Sequence, residues 1–207
     1  MRQHTAKVWL AGAGAVALTA LAGCDSGGNQ QNFDRGQVFA GVLAGADLRA
    51  PAPMAGLVGS ADYTGSGFAQ FQGSENFTAT ADLAMTVDFD SSTLSGSLTG
   101  WTAENANNYT MDGTVLISNG VILPDGTYDA YVSGNVNREM TALRRQELID
   151  AGQPIPEDIQ LIFASTDVPN TVGRLHDNWQ TGERATHVVG EFVTPNASGA
   201  FAGVKQP

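Results

Sequence analysis

The chain has 207 residues, a net charge of −11 and only 15% charged residues, with 25 glycines and a single cysteine. Such acidity repels polyanions and so excludes a nucleic-acid partner, and one cysteine excludes an intramolecular disulfide framework. The length suits one domain with a real core, and the many Gly, Ser, Thr and Asn residues point to strands joined by tight turns.

The first residues carry Arg2 and Lys7, then an apolar run from about Val8 to Leu21, then Leu21-Ala22-Gly23-Cys24. The run is too short to span a bilayer, and small residues precede the cysteine, as before a cleavage site. The pattern resembles a bacterial lipobox. It implies a signal peptide over 1–23, removed so that Cys24 becomes an acylated N-terminus carrying chains such as palmitate. Losing Arg2 and Lys7 makes the remainder more acidic still, at −13.

Residues 24–55 read as a tether, polar from Asp25 to Asn32 and more apolar from Gly36 to Ala50, where a short helix or strand folds onto the domain. Pro51-Ala52-Pro53 then breaks the chain.

From there to the C-terminus, 56–207, the period is two. Phe77, Ala79, Ala81, Leu83, Met85, Val87 and Phe89 alternate with polar residues. Tyr63 to Phe71, Leu94 to Gly100, Val115 to Ile117, Tyr128 to Val136, Val188 to Phe192 and Phe201 to Val204 repeat the pattern. Asp90-Ser91-Ser92 and Pro124-Asp125-Gly126 read as turns, and Ser118-Asn119-Gly120 as a hairpin signal. Glycines on the apolar side of several strands relieve crowding where strands coil in a small barrel. One helix is predicted over Arg138 to Ala151, capped by Asn137 and ended by Gly152. Ile159 to Ala164 reads as a strand, and Ser165 to Glu183 as a long loop. The expected fold is all-β: an eight-stranded antiparallel up-and-down β-barrel with one inserted short helix.

The run Val189-Gly190-Glu191-Phe192-Val193-Thr194-Pro195-Asn196-Ala197-Ser198-Gly199-Ala200-Phe201 resembles the closing hairpin of barrels in the transferrin-binding protein B family. Tyr63-Thr64-Gly65-Ser66-Gly67, Val87-Asp88-Phe89 and Leu94 to Gly100 resemble that family's early strands. Thr194 and Val193 depart from the family's usual glycine and tyrosine, and its glutamate after the turn is missing. The resemblance spans Val58 to Val204 and rests on structural glycines and aromatics. It implies a lipid-anchored barrel, commonly at the outer membrane, with one lobe where full receptors have two. Transferrin binding is not carried over.

Signals for chemistry are sparse. No nucleophile elbow, phosphate loop or paired-histidine motif occurs, so the chain reads as a non-enzyme with no cofactor or bound metal. His187 falls on the polar side of its strand and is expected in solvent. His176 falls in the expected loop. Asp88 and Asp90 read as turn acids. Trp101 and Tyr109 flank the polar segment Glu104 to Asn108, and Trp179 lies in the other long loop, which makes these three aromatics the candidate partner-binding residues. The resulting expectation is an envelope lipoprotein acting as a binding module for a host protein or iron-related ligand. Two alternatives stay open: a structural envelope lipoprotein without soluble ligand, and a lipocalin-like small-molecule carrier. The partner's side is open too, extracellular or periplasmic. Asp25, directly after Cys24, resembles an inner-membrane retention signal of enteric bacteria and weighs against the outer membrane.

Overall fold

The computed structural model describes residues 30–72, 76–103, 108–163 and 168–207. The signal segment, Cys24 and Asp25 to Asn29 lie outside the described residues. So do 73–75, 104–107 and 164–167.

The alternating runs form strands β1 (Ser60–Phe71), β2 (Phe77–Asp88), β3 (Thr93–Ala103), β4 (Tyr109–Ile122), β5 (Thr127–Met140), β6 (Ile159–Phe163), β7 (Thr171–His176), β8 (His187–Thr194) and β9 (Ala197–Lys205). Pairing is antiparallel throughout, and β4–β5 and β1–β9 close the sheet on itself. Closure removes the exposed edges of an open sheet. Nine strands occupy eight positions, because β6 and β7 share one edge of β5. Residues 134–138 of β5 pair with β6, and 127–130 pair with β7. Asn170 fills the break: its Nδ2 donates to the Val132 carbonyl at 3.0 Å, and its Oδ1 accepts from the Val132 N–H at 2.6 Å. A side-chain amide thus takes the place of a missing peptide, and the closed eight-stranded barrel is preserved.

The interior is filled. Tyr63, Phe71, Leu98, Ile117, Tyr128 and Phe201 are all fully buried within it. Inward glycines leave room for these side chains. A Cβ built on Gly173 would stand 2.2 Å from the Tyr128 ring, and one on Gly67 would stand 2.8 Å from Leu98 Cδ2. Alternating large and vacant positions therefore interlock across the bore, as a small barrel requires.

Two ends follow from this path. The aromatic end carries the β1–β2, β3–β4, β5–β6 and β8–β9 connections, and the histidine end carries the β2–β3, β4–β5 and β7–β8 connections. The turn at Asp90-Ser91-Ser92 joins β2 to β3 with Ser92 at φ 54°, and Pro124-Asp125-Gly126 joins β4 to β5. Ser118-Asn119-Gly120, read as a hairpin signal, instead forms a bulge inside β4, with Asn119 at φ 50° and the register shifting between Ser118 and Val121.

The helices match expectation in part: the short helix or strand expected to fold onto the domain within Gly36 to Ala50 is a helix that does so, but it starts earlier. Helix α1 spans Gln30–Gly45, within the segment read as a tether. Arg35, Phe39, Val42 and Ala46 recur at spacings of four, three and four, and all are buried. Phe39 and Val42 pack on Phe68, Ala200 and Ala202, outward-facing residues of β1 and β9. The Phe39 and Phe68 rings meet edge to face at 5.4 Å. Helix α2 spans Ala142–Asp150, shorter than the predicted Arg138 to Ala151. Thr141, not Asn137, is its N-cap, accepting from the Arg144 N–H at 3.3 Å. Arg138 to Met140 complete β5 instead, because the ladder with β4 runs on to Tyr109↔Met140.

Candidate functional site

The aromatic end is shaped by Gly100. That glycine adopts φ +61°, and the β2–β3 register slips between Thr80 and Asp82. The extra residue reverses the alternation, so Trp101 turns into the barrel and Thr102 turns out. Trp101 is buried, with its ring 5.9 Å from Phe71 and 6.3 Å from Phe163. Its buried indole N–H meets no acceptor among the described residues. Phe77 stacks on Phe71 at 4.8 Å, and Phe163 meets Phe192 at 6.0 Å. Arg138, buried and inward on β5, lies 4.3 Å from the Phe77 ring centre and 4.1 Å from that of Tyr109. A guanidinium this close over two ring faces is the cation–π arrangement, which offsets part of the cost of burying its charge. Trp101 and Tyr109 therefore share this end, as parts of a stacked layer that plugs the bore. The segment 104–107 between them lies outside the described residues.

Trp179 sits at the other end, some distance from those two, and its role there is local. Its indole N–H donates to the Ala44 carbonyl and its backbone N–H to that of Gly45, at 3.2 Å. It thereby satisfies carbonyls that the C-terminus of α1 leaves without helical partners. The three candidate aromatics do not converge on one surface.

Both strand histidines are buried, against expectation. Residues 171–176, read as part of a loop, form β7, and His176 stands opposite His187 in the β7–β8 ladder. The alternation correctly placed His187 on the outer face, but α1 covers that face. A Cβ on Gly45 would lie 2.7 Å from His187 Nε2, so only glycine admits the helix here. His187 Nδ1 lies 2.8 Å from the Thr186 hydroxyl. His176 Nδ1–H donates to the Asp47 carbonyl at 2.9 Å, with the Ala50 carbonyl at 3.2 Å. Burial lowers both imidazoles from their ordinary value of 6.5, since the charged form is the more poorly solvated.

This arrangement carries a pH dependence. A histidine whose folded pKa is depressed takes up protons more readily when unfolded. Its contribution to stability is thus intact above 6.5 and is lost as pH falls below it, toward the folded values. Thermal melts between pH 8 and pH 5 are expected to show a falling midpoint, and His187→Gln should flatten the profile. A profile unchanged by His187→Gln would remove the histidine from this role.

The other titratable groups do structural work. Burial raises the Tyr63 and Tyr128 hydroxyls, which donate to the carbonyls of Ala185 and Val189. Asp88 accepts from the N–H groups of Asp90 and Ser91 and closes its turn. These bonds hold its carboxyl below the usual range. Among the described residues no three His, Cys, Asp or Glu side chains gather as a metal site, and no helix is long and apolar enough to cross a membrane.

Arg35 fastens the other end of α1. Its Nε and Nη2 donate to both Asp82 oxygens at 2.7 and 2.6 Å, and its Nη1 donates to Thr102 Oγ1 at 3.0 Å. Asn32 Nδ2 donates to the Ala103 carbonyl at 2.8 Å. The bulge at Gly100 makes room here too, since a Cβ there would lie 3.0 Å from Arg35 Nη2. One glycine thus admits the strap outside and turns the tryptophan inside. No signal in the sequence singled out Arg35, Gly45 or Gly100, because each acts through a partner remote in the chain. No protein-family model matches the chain, and no relative was found among curated proteins.

Proposed function

We propose that this chain is a bacterial envelope lipoprotein, anchored by acyl chains on Cys24, whose barrel is a non-enzymatic binding module similar to one lobe of the transferrin-binding protein B family. The observation that carries the reading is Leu21-Ala22-Gly23-Cys24 standing just ahead of a barrel that α1 clasps. The closing hairpin β8–β9, with Gly190 and Gly199 making space for Phe201 and Phe192, fits the resemblance. The filled interior weighs against a carrier with its ligand inside the bore, and so favours recognition by outer surfaces and connecting loops. The partner class is a protein or iron-related ligand outside the cytoplasm. Asp25 supports a second reading, a structural lipoprotein retained at the inner membrane.

Palmitate labelling of cells expressing the chain and its Cys24→Ala variant tests the anchor: label on the parent and none on the variant is expected. Label on neither refutes acylation. Protease shaving of intact cells then separates the two readings. Loss of the barrel while periplasmic markers survive supports surface display. Digestion only after the outer membrane is opened supports the periplasmic role.

A further inference from the structure

Helix α1 fixes not only that the barrel is tethered but which way it stands. Its first turns are fastened at the aromatic end, through Asn32 to Ala103 and Arg35 to Asp82. Its last turn is fastened at the histidine end, through Gly45 against His187 and the Ala44 carbonyl to Trp179. The chain from Cys24 therefore arrives at the aromatic end. Six residue steps separate Cys24 from Gln30, a reach of at most about 21 Å even when fully extended. The 16 residues of α1 extend about 24 Å in the opposite direction. The tether is thus too short to run back along the helix and bring the histidine end to the lipid.

Charge limits how closely that end approaches the bilayer. Between residues 139 and 158, at the aromatic end, Glu139, Glu147, Asp150, Glu157 and Asp158 outnumber Arg144 and Arg145. Arg144 pairs with Glu147 at 2.9 Å and Arg145 with Asp158 at 3.2 Å, which leaves the surface net acidic. Anionic headgroups repel such a surface, so charge holds this end off the bilayer, and it is the tether's attachment, not attraction, that turns it toward the lipid.

We infer that the barrel stands upright on its membrane, its aromatic end facing the lipid surface a short tether away and its histidine end turned away from it. The inference rests on acylation of Cys24. The surface turned away from the membrane is then made of the turns Asp88–Thr93 and Leu123–Thr127 and the loop Asp177–Thr186, the far side of the molecule from Tyr109.

Energy transfer from a protein-borne dye to the bilayer tests the orientation. Acylated Cys24 offers no free thiol, so Asn196→Cys at the aromatic end and Gln180→Cys at the histidine end each supply one labelling site, both exposed in turns. The full lipidated chains are reconstituted in phosphatidylethanolamine–phosphatidylglycerol vesicles containing a rhodamine lipid, after mass measurement of the acyl group. With a barrel height on the order of 30 Å, transfer from position 196 should exceed that from position 180 at least about twofold. Equal or reversed transfer on acylated protein overturns the upright orientation and leaves the anchor standing. An unmodified Cys24 mass overturns the anchor and the orientation with it.

Discussion

Gly190→Ala is expected to destabilise the barrel by about 3 kcal/mol, the upper part of the usual range for overpacking a core. Gly190 points inward on β8, opposite Gly173 on β7 and Phe201 on β9. A Cβ at this position would lie 2.4 Å from Phe201 Cζ and 2.5 Å from the Tyr128 hydroxyl. Neither neighbour is the loose end of a flexible chain. Both rings are fully buried, and the Tyr128 hydroxyl is held by the Val189 carbonyl at 3.0 Å. Relief requires a ring to leave its rotamer or two strands to part, and the first option also breaks that hydrogen bond. For a chain of this size the melting midpoint should fall by about 10 °C. Gly41→Ala is the control. It lies in α1 with nothing within 4 Å, so alanine should cost nothing there and gain up to about 1 kcal/mol of helix propensity. A Gly190→Ala midpoint within about 2 °C of the parent would mean that the interior is looser than its glycine–ring interlock implies.

This interlock explains why so much of the barrel was legible. Tyr63 to Phe71, Phe77 to Phe89 and Tyr128 to Val136 alternate because one face meets the bore and the other meets water, a local rule that a sequence records. The rule fails wherever a third layer or an extra residue intervenes. Phe68, Ala200 and Ala202 face outward yet are buried, because α1 lies on them. His187 faces outward, as the alternation of its strand dictates, and is buried for the same reason. Gly100 reverses the phase of β3, so a tryptophan read as a loop contact becomes part of the core. Arg138 sits among charged and polar residues that suggest a helix. Its burial rests on Phe77 and Tyr109, which come from two other strands. β7 is hard to read from the sequence because Gly173 and Arg174 interrupt its apolar pattern, and Asn170 repairs the pairing beside it by a side-chain bond. In each case the deciding contact is distant in sequence, and one chain without its fold does not display it.

Asp82→Ala is expected to release α1 from the barrel wall more completely than Arg35→Ala, although the two share one ion pair. The Arg35 side chain is 6% exposed and that of Asp82 is 61% exposed. Removing the arginine frees a carboxylate that water can solvate at once. It costs the paired hydrogen bonds and the packed stem, about 2 kcal/mol. Removing the aspartate leaves a guanidinium buried beneath the helix with, among the described residues, Thr102 Oγ1 and the Thr80 carbonyl to receive it, at 3.0 and 3.3 Å. A cation so stranded costs about 3 kcal/mol, and the helix can avoid that cost only by lifting away. An isolated helix of 16 residues is marginal in water, so a lifted α1 unwinds. Hydrogen exchange should therefore accelerate across Gln30–Gly45 in Asp82→Ala, less so in Arg35→Ala, and hardly at all in β5. Equal acceleration in both variants would show that the pair is solvated on both sides. Unchanged exchange in either would show that Phe39 and Val42 hold the helix without it. Release also lengthens the tether, which then runs from Cys24 toward Ala52, whose N–H is held by the Leu175 carbonyl at 2.7 Å. The reach then far exceeds the height of the barrel. In the vesicle experiment, Asp82→Ala should erase the difference between positions 196 and 180, because the strap, and not the lipid alone, sets which end faces the bilayer.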